Sequence, residues 1–148
     1  MGNNKLVKIG DFGLAEKLNQ YGKFYMNTEN YLFPIKWTAP EIYKVDKNGK
    51  RFYTIKSDVW AYGILLFELV TLGDEPYRGF TNQQVMSKIK YENYRMPKPT
   101  GMCTEPYYEK MMKCWNSDPQ QRDTFESLYN FFNDYFINIE PGYKFSQH

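Results

Sequence analysis

Residues 57–73 read "SDVWAYGILLFELVTLG", and this stretch decides what kind of fold the chain adopts. Its apolar side chains (Val59, Trp60, Ile64, Leu65, Phe67 and Leu69) fall on nearly every face of a helix, so the helix must be surrounded by protein. Ser57 suits its N-cap and Gly73 its end. Glu68 interrupts the apolar run, which is too short and too broken for a membrane span.

Further helices follow on the C-terminal side. "TNQQ" at 81–84 fits a capping box, ahead of Val85, Met86 and Ile89. Thr104 caps a third helix whose apolar face carries Tyr108, Met111, Met112 and Trp115. Asp123 with Glu126 makes a similar box before the last helix, where Phe125, Leu128, Phe132, Tyr135 and Ile139 recur at helical spacing. On the N-terminal side, residues 44–54 form a charged turn around Asn48-Gly49, and their lysines read as a solvated loop. From Leu14 to Pro40 no periodicity survives Gly22, Asn27, Asn30 and Pro34, which predicts a long loop. Loops of that length in a compact domain are usually functional. In front of it, residues 6–9 read as a short strand ending at Gly10. The expected fold is mainly α, with one strand stub and one long loop.

Bulk properties exclude more than they assign. The 148 residues carry 19 basic and 17 acidic side chains, a net charge of +2, so no strong field points to nucleic acid or a membrane surface. Aromatics make up 19 % of the chain, which calls for large buried rings or docking surfaces. Cys103 and Cys114 are expected to be reduced thiols in a core. The opening "MGNNKL" places Gly2 after Met1, but Leu6 stands where N-myristoylation wants Ser or Thr, and no apolar signal segment is visible.

The motifs carry the chemistry. Asp11-Phe12-Gly13 and Ala39-Pro40-Glu41 frame the long loop. Then come, in order, "FPIKWTAPE", "SDVWAYGILLFELVTLG", "PYRGFTNQQV", "YRMPKP", "KCWNSDPQQR" and "FNDYF". The chain resembles the part of a protein tyrosine kinase domain from the Asp-Phe-Gly motif onward, most closely the Src-like non-receptor group, and the resemblance covers essentially the whole sequence. It implies the C-terminal, large lobe of the kinase α+β fold: a strand stub at 1–10, an activation segment at 11–41, a helical lobe at 42–137 and a tail at 138–148.

The resemblance also implies roles. Asp11, with Phe12 and Gly13, sits on the nucleotide side, and its carboxylate would hold Mg²⁺ against the phosphates of ATP in a complete kinase. Pro34, Ile35 and Lys36 would form the shelf that seats a substrate tyrosine, with Trp37 behind it. Glu41 and Arg122 match a buried ion pair that clamps the loop to the helical body. Asp58 matches an aspartate that binds the catalytic-loop backbone; an acid early in a helix also suits the dipole. Tyr25 falls at the autophosphorylated position, Tyr21 and Tyr31 lie near it, and Tyr143 resembles an inhibitory tail tyrosine. Two departures stand out. Glu16 replaces the arginine that helps hold the phosphate, so repulsion is expected unless Lys17 or Lys23 substitutes. Asp123 replaces a usual proline.

Other kinase parts do not occur in these 148 residues: no glycine-rich "GxGxxG", no "VAIK" lysine, no "HRDxxxxN" loop that would bring the catalytic base. The only histidine is His148. The chain by itself is therefore expected to be inactive, to bind neither ATP nor Mg²⁺ tightly, and to leave one side of the 57–72 helix bare. If roughly 500 Å² of apolar surface is exposed there, the lost burial is about 12 kcal/mol. The leading expectation is a fragment of a cytoplasmic tyrosine kinase, membrane-peripheral in a longer parent, that phosphorylates protein tyrosines. The alternatives are a non-catalytic docking or decoy module and a gene relic. Partners are expected to be protein substrates or regulatory proteins, not nucleic acid.

Overall fold

A computed structural model describes residues 8–27 and 34–139. Four α-helices dominate: α1 (Ile55–Val70), α2 (Asn82–Tyr91), α3 (Glu105–Cys114) and α4 (Phe125–Ile139). Two short strands, β1 (Phe24–Asn27) and β2 (Lys50–Tyr53), pair antiparallel with Tyr25 opposite Phe52. Single 3-10 turns occupy Phe12–Leu14, Ile35–Trp37, Pro40–Tyr43 and Pro119–Gln121. The mainly helical expectation holds.

α1 is the spine. Trp60 and Ile64 are wholly buried, and Val59 and Leu66 nearly so. Gly63 sets its closeness to α3: a Cβ there would lie 2.6 Å from Cys114 Cβ and 2.7 Å from Trp115 Nε1. Met111, Cys114, Trp115 and Leu128 complete the centre, while Val85 and Ile89 of α2 close one end. Cys103 and Cys114 are both free and buried, and desolvation pushes the Cys114 thiol up to about 12. One stripe of α1 is left facing water: Leu65 is 45 % exposed, Leu69 57 %, and Leu72 just beyond it 83 %. That is the bare side expected from the sequence.

Helix starts differ in detail from the sequence reading. α1 begins two residues before Ser57, because Thr54 is its N-cap and accepts from the Lys56 N–H. Ser57 instead takes the third helical position and accepts from the Thr54 N–H at 3.2 Å. Before α4 the reciprocal pair is Thr124 with Ser127, not Asp123 with Glu126. A hydroxyl wins because Asp123 is engaged elsewhere, 2.9 Å from Lys110 Nζ. The 81–84 box is present as read, and Thr104 precedes α3. On α3 the inward face is Tyr107, Met111 and Cys114, with Met112 turned out. Gly73 ends α1 at φ +98°, its N–H reaching back to the Glu68 carbonyl at 2.8 Å.

The strands are where the sequence misled. Lys8–Gly10, the described part of the expected stub, form no strand. An isolated strand has no ladder to join, and Ile9 is 86 % exposed. The long loop, in contrast, contributes β1, and the charged 44–54 segment contributes β2. The Asn48-Gly49 turn is present: the Asp46 carboxylate accepts from the N–H groups of Asn48 and Lys50 at 2.8 Å each, and Gly49 sits at φ +72°. β2 starts directly after it.

Candidate functional site

The turn Pro40–Tyr43 carries Glu41 to the N-terminus of α1, where Arg122 meets it from the far end of the chain. Both guanidinium nitrogens donate to the carboxylate, Nη1 to Oε1 and Nη2 to Oε2, each at 2.7 Å. The Arg122 side chain is 0 % exposed and that of Glu41 16 %. Two further donors reach backbone carbonyls: Nη1 also donates to that of Lys56 at 2.8 Å and Nε to that of Asn116 at 2.9 Å. Ser57 Oγ donates to Glu41 Oε1 at 3.2 Å, which explains why this serine is better placed inside the helix than at its cap. The guanidinium also lies 5.1 Å from the Trp60 ring centroid, and that of Arg95 4.9 Å from the same ring. A forked ion pair of this kind fixes geometry as well as charge.

Just before Glu41, residues 34–38 are tied down from several directions. Lys36, only 8 % exposed, donates from Nζ to Glu75 Oε1 at 2.8 Å. The ammonium beside Glu75 holds that carboxyl below the usual range. Trp37 Nε1 donates to Glu68 Oε2 at 3.1 Å, so the acid that interrupts the apolar helix anchors an indole. The Tyr43 hydroxyl lies 3.1 Å from the Ile35 carbonyl and 3.0 Å from that of Thr38, shared between them. Burial raises its pKa well above the ordinary phenol value, so it stays a donor. Pro34 is exposed at the front of this ledge.

A cavity of about 460 Å³ opens beside the ledge. Phe24, Met26 and Tyr53 of the strands line it with Trp37, and so do two acids, Glu16 and Asp58. Asp58 occupies the fourth position of α1, not the second, because the helix begins at Ile55. Desolvation raises its carboxyl above the ordinary range. Asp11 lies apart, solvent-exposed, with left-handed backbone at φ 60°, ψ 60°. Phe12 is 66 % exposed and Gly13 follows it in the same 3-10 turn. Tyr25 and Tyr21 are exposed at 44 % and 76 %, whereas Tyr31 and Tyr143 lie outside the described residues.

Residues 1–132 match the family described as "Protein tyrosine and serine/threonine kinase". The chain belongs to this kinase family. It is 45 % identical over 138 residues to "Tyrosine protein-kinase src-1" of Caenorhabditis elegans, an alignment covering 93 % of the chain and 25 % of the relative. It is 43 % identical over 142 residues to "Tyrosine-protein kinase SRK3" of Spongilla lacustris, covering 96 % of the chain and 40 % of that protein. The chain thus spans a quarter to two fifths of the length of these tyrosine kinases.

Of the residues singled out in this kinase sequence, the structure brings together Glu41 with Arg122, and Pro34 through Trp37 as one ledge. It does not bring Asp11 to them. Among the described residues no group of three His, Cys, Asp or Glu side chains converges as a metal cage. Asp11 offers one open carboxylate, which fits an ion held mostly by water and phosphate oxygens. Glu75, Glu68, Tyr43 and Ser57 were missed by sequence reading. Glu68 alone gave a signal, as a charge inside an apolar helix. No described helix is long and apolar enough to cross a membrane.

Proposed function

We propose that the chain is the substrate-seating part of a Src-like tyrosine kinase, whose whole protein transfers the γ-phosphoryl group of ATP to protein tyrosines. The single observation that carries this reading is the braced ledge. Lys36 is held by Glu75 and Trp37 by Glu68 of α1, while the Ile35 and Thr38 carbonyls share the Tyr43 hydroxyl. Such bracing leaves Pro34 and Ile35 as a rigid edge against which a phenol ring can lie, at the reach a tyrosine needs.

Within that reading residues 11–41 are the activation segment, 42–137 the helical lobe and 138–148 the tail. Asp11 is the residue that would hold Mg²⁺, which when bound neutralises charge on the transferring phosphoryl group. Asp11 is solvent-exposed in left-handed backbone, which leaves its carboxylate open to an ion. Glu41 and Arg122 keep the end of the segment docked, and Asp58 waits at the cavity mouth for backbone donors of a catalytic loop. The whole protein works on protein substrates in the cytoplasm or at a membrane surface.

A chimera tests this. The part of the sponge kinase preceding its matched segment, fused ahead of residue 8, should phosphorylate a tyrosine peptide and not its serine counterpart. Asp11→Asn should abolish that activity, whereas the 148-residue chain alone should show none. A chimera that folds, binds ATP and still prefers serine would refute the tyrosine assignment.

A further inference from the structure

Two features of the cavity beside the ledge belong together: an aromatic wall and uncompensated negative charge. Phe24, Trp37, Tyr53 and Met26 line the wall. Phe24 and Tyr53 stand opposite each other on the β1–β2 ribbon, their ring centroids 6.4 Å apart and their planes tilted by 43°. Trp37 uses its one N–H on Glu68, so it adds carbon surface to the cavity and no donor. Glu16 and Asp58 line the same space, and no Lys or Arg does. Neither carboxylate makes a hydrogen bond or an ion pair among the described residues. Desolvation therefore falls on Asp58 with no counter-charge to offset it. Lys23, which precedes β1, places its ammonium 5.2 Å from the Phe52 ring centroid. Side chains alternate along a strand, so Phe52 lies on the opposite face of the ribbon from Tyr53.

We propose that this cavity is a binding site for an organic cation: an alkylated or quaternary ammonium carried on an apolar group, its charge shared between Asp58 and Glu16 and its carbon surface against Phe24, Tyr53 and Trp37. The faces of aromatic rings carry negative potential and attract cations, the more so where water is excluded. At about 460 Å³ the cavity falls within the range of small-molecule sites, about 300–1,000 Å³. Other ligand classes fit worse. A neutral apolar molecule leaves both carboxylates without a partner, and an anion is repelled by them. A bare metal ion finds no third ligand among the described residues and gains nothing from the rings. The proposal goes beyond the kinase reading and does not depend on it. Within that reading, a bound cation and the backbone donors of a catalytic loop contend for the one Asp58 carboxylate, so ligand and loop exclude each other.

The test titrates benzyltrimethylammonium into the full 148-residue chain and follows binding by saturation-transfer NMR. No catalysis is involved, so failure of the kinase reading leaves the outcome unaffected. N,N-dimethylbenzamide, a neutral molecule with the same number of heavy atoms, is the comparator. The cation should bind with a millimolar dissociation constant, about tenfold tighter than the amide, and most of that difference should vanish at about 0.5 M salt. Asp58→Asn and Glu16→Gln should each weaken the cation about threefold, the size of one exposed ion pair, and leave the amide unchanged. Glu16 is exposed and outside the helices, so if Asp58→Asn does not fold, Glu16→Gln and the salt dependence decide. Equal affinity for the two probes, cation binding unchanged by the substitutions, or no cation binding up to about 20 mM overturns the proposal.

Discussion

Arg122→Ala is the most informative single change. Its guanidinium is 0 % exposed and makes two bonds to Glu41, two to backbone carbonyls and a ring contact with Trp60. Truncation leaves the Glu41 carboxylate 16 % exposed with only Ser57 as a donor. Breaking one side of such a pair costs about 3–5 kcal/mol. With a urea slope of about 2 kcal/mol/M, the midpoint should fall by about 2 M. Because Glu41 ends the loop, the local effect should exceed the global one: protease cleavage within 14–40 should accelerate in conditions where the helices still hold. Adding Glu41→Gln should recover part of the loss, since no charge is then stranded. An unchanged midpoint and unchanged loop cleavage in Arg122→Ala would refute the clamp, and a double variant no better than the single would refute the stranded-charge account.

Gly63→Ala should destabilise by about 1–3 kcal/mol, read as a lower melting temperature, because the new methyl meets the Cys114 and Trp115 side chains at under 3.0 Å. Asp58→Asn should stabilise the fold at neutral pH: the folded-state carboxyl titrates above its unfolded value of 3.8, so its charge costs stability that acid restores, and the gain should disappear below about pH 3.8. Glu75 has the opposite sign; its contribution is complete above 4.5 and is lost as pH falls through its lowered folded value, so Glu75→Gln should flatten that part of a pH–stability curve. Cys103 and Cys114 should resist a soluble thiol reagent at pH 8 until urea opens the core, and prompt labelling of Cys114 would contradict its burial.

Legibility in the sequence followed the range of the forces involved. Helices α1, α2 and α4 announce themselves because 3.6-residue periodicity and local caps lie within a few positions of one another. The caps shifted by three residues before α1 and by one before α4, where Thr54 and Thr124 outcompete their neighbours through contacts that sequence spacing cannot rank. The ribbon escaped notice for a different reason. Each strand has only four residues, and Tyr25 meets Phe52 across a wide gap in the chain, so neither segment shows alternation long enough to register. The same holds at the ledge. Its residues were legible as a motif, while its braces, Glu68 and Glu75, lie more than thirty positions away and belong to no pattern. Glu41 and Arg122 were paired correctly, though the resemblance supplied that pairing and the structure supplied its fork.

The sharing of Arg122 between Glu41 and the Trp60 ring carries an optical consequence. Indole emission responds to a nearby positive charge, so an event that slackens the far end of the loop and frees Arg122 from Glu41 should change the emission of Trp60, which Arg95 also approaches. The protein carries its own built-in gauge of loop docking, readable without a label.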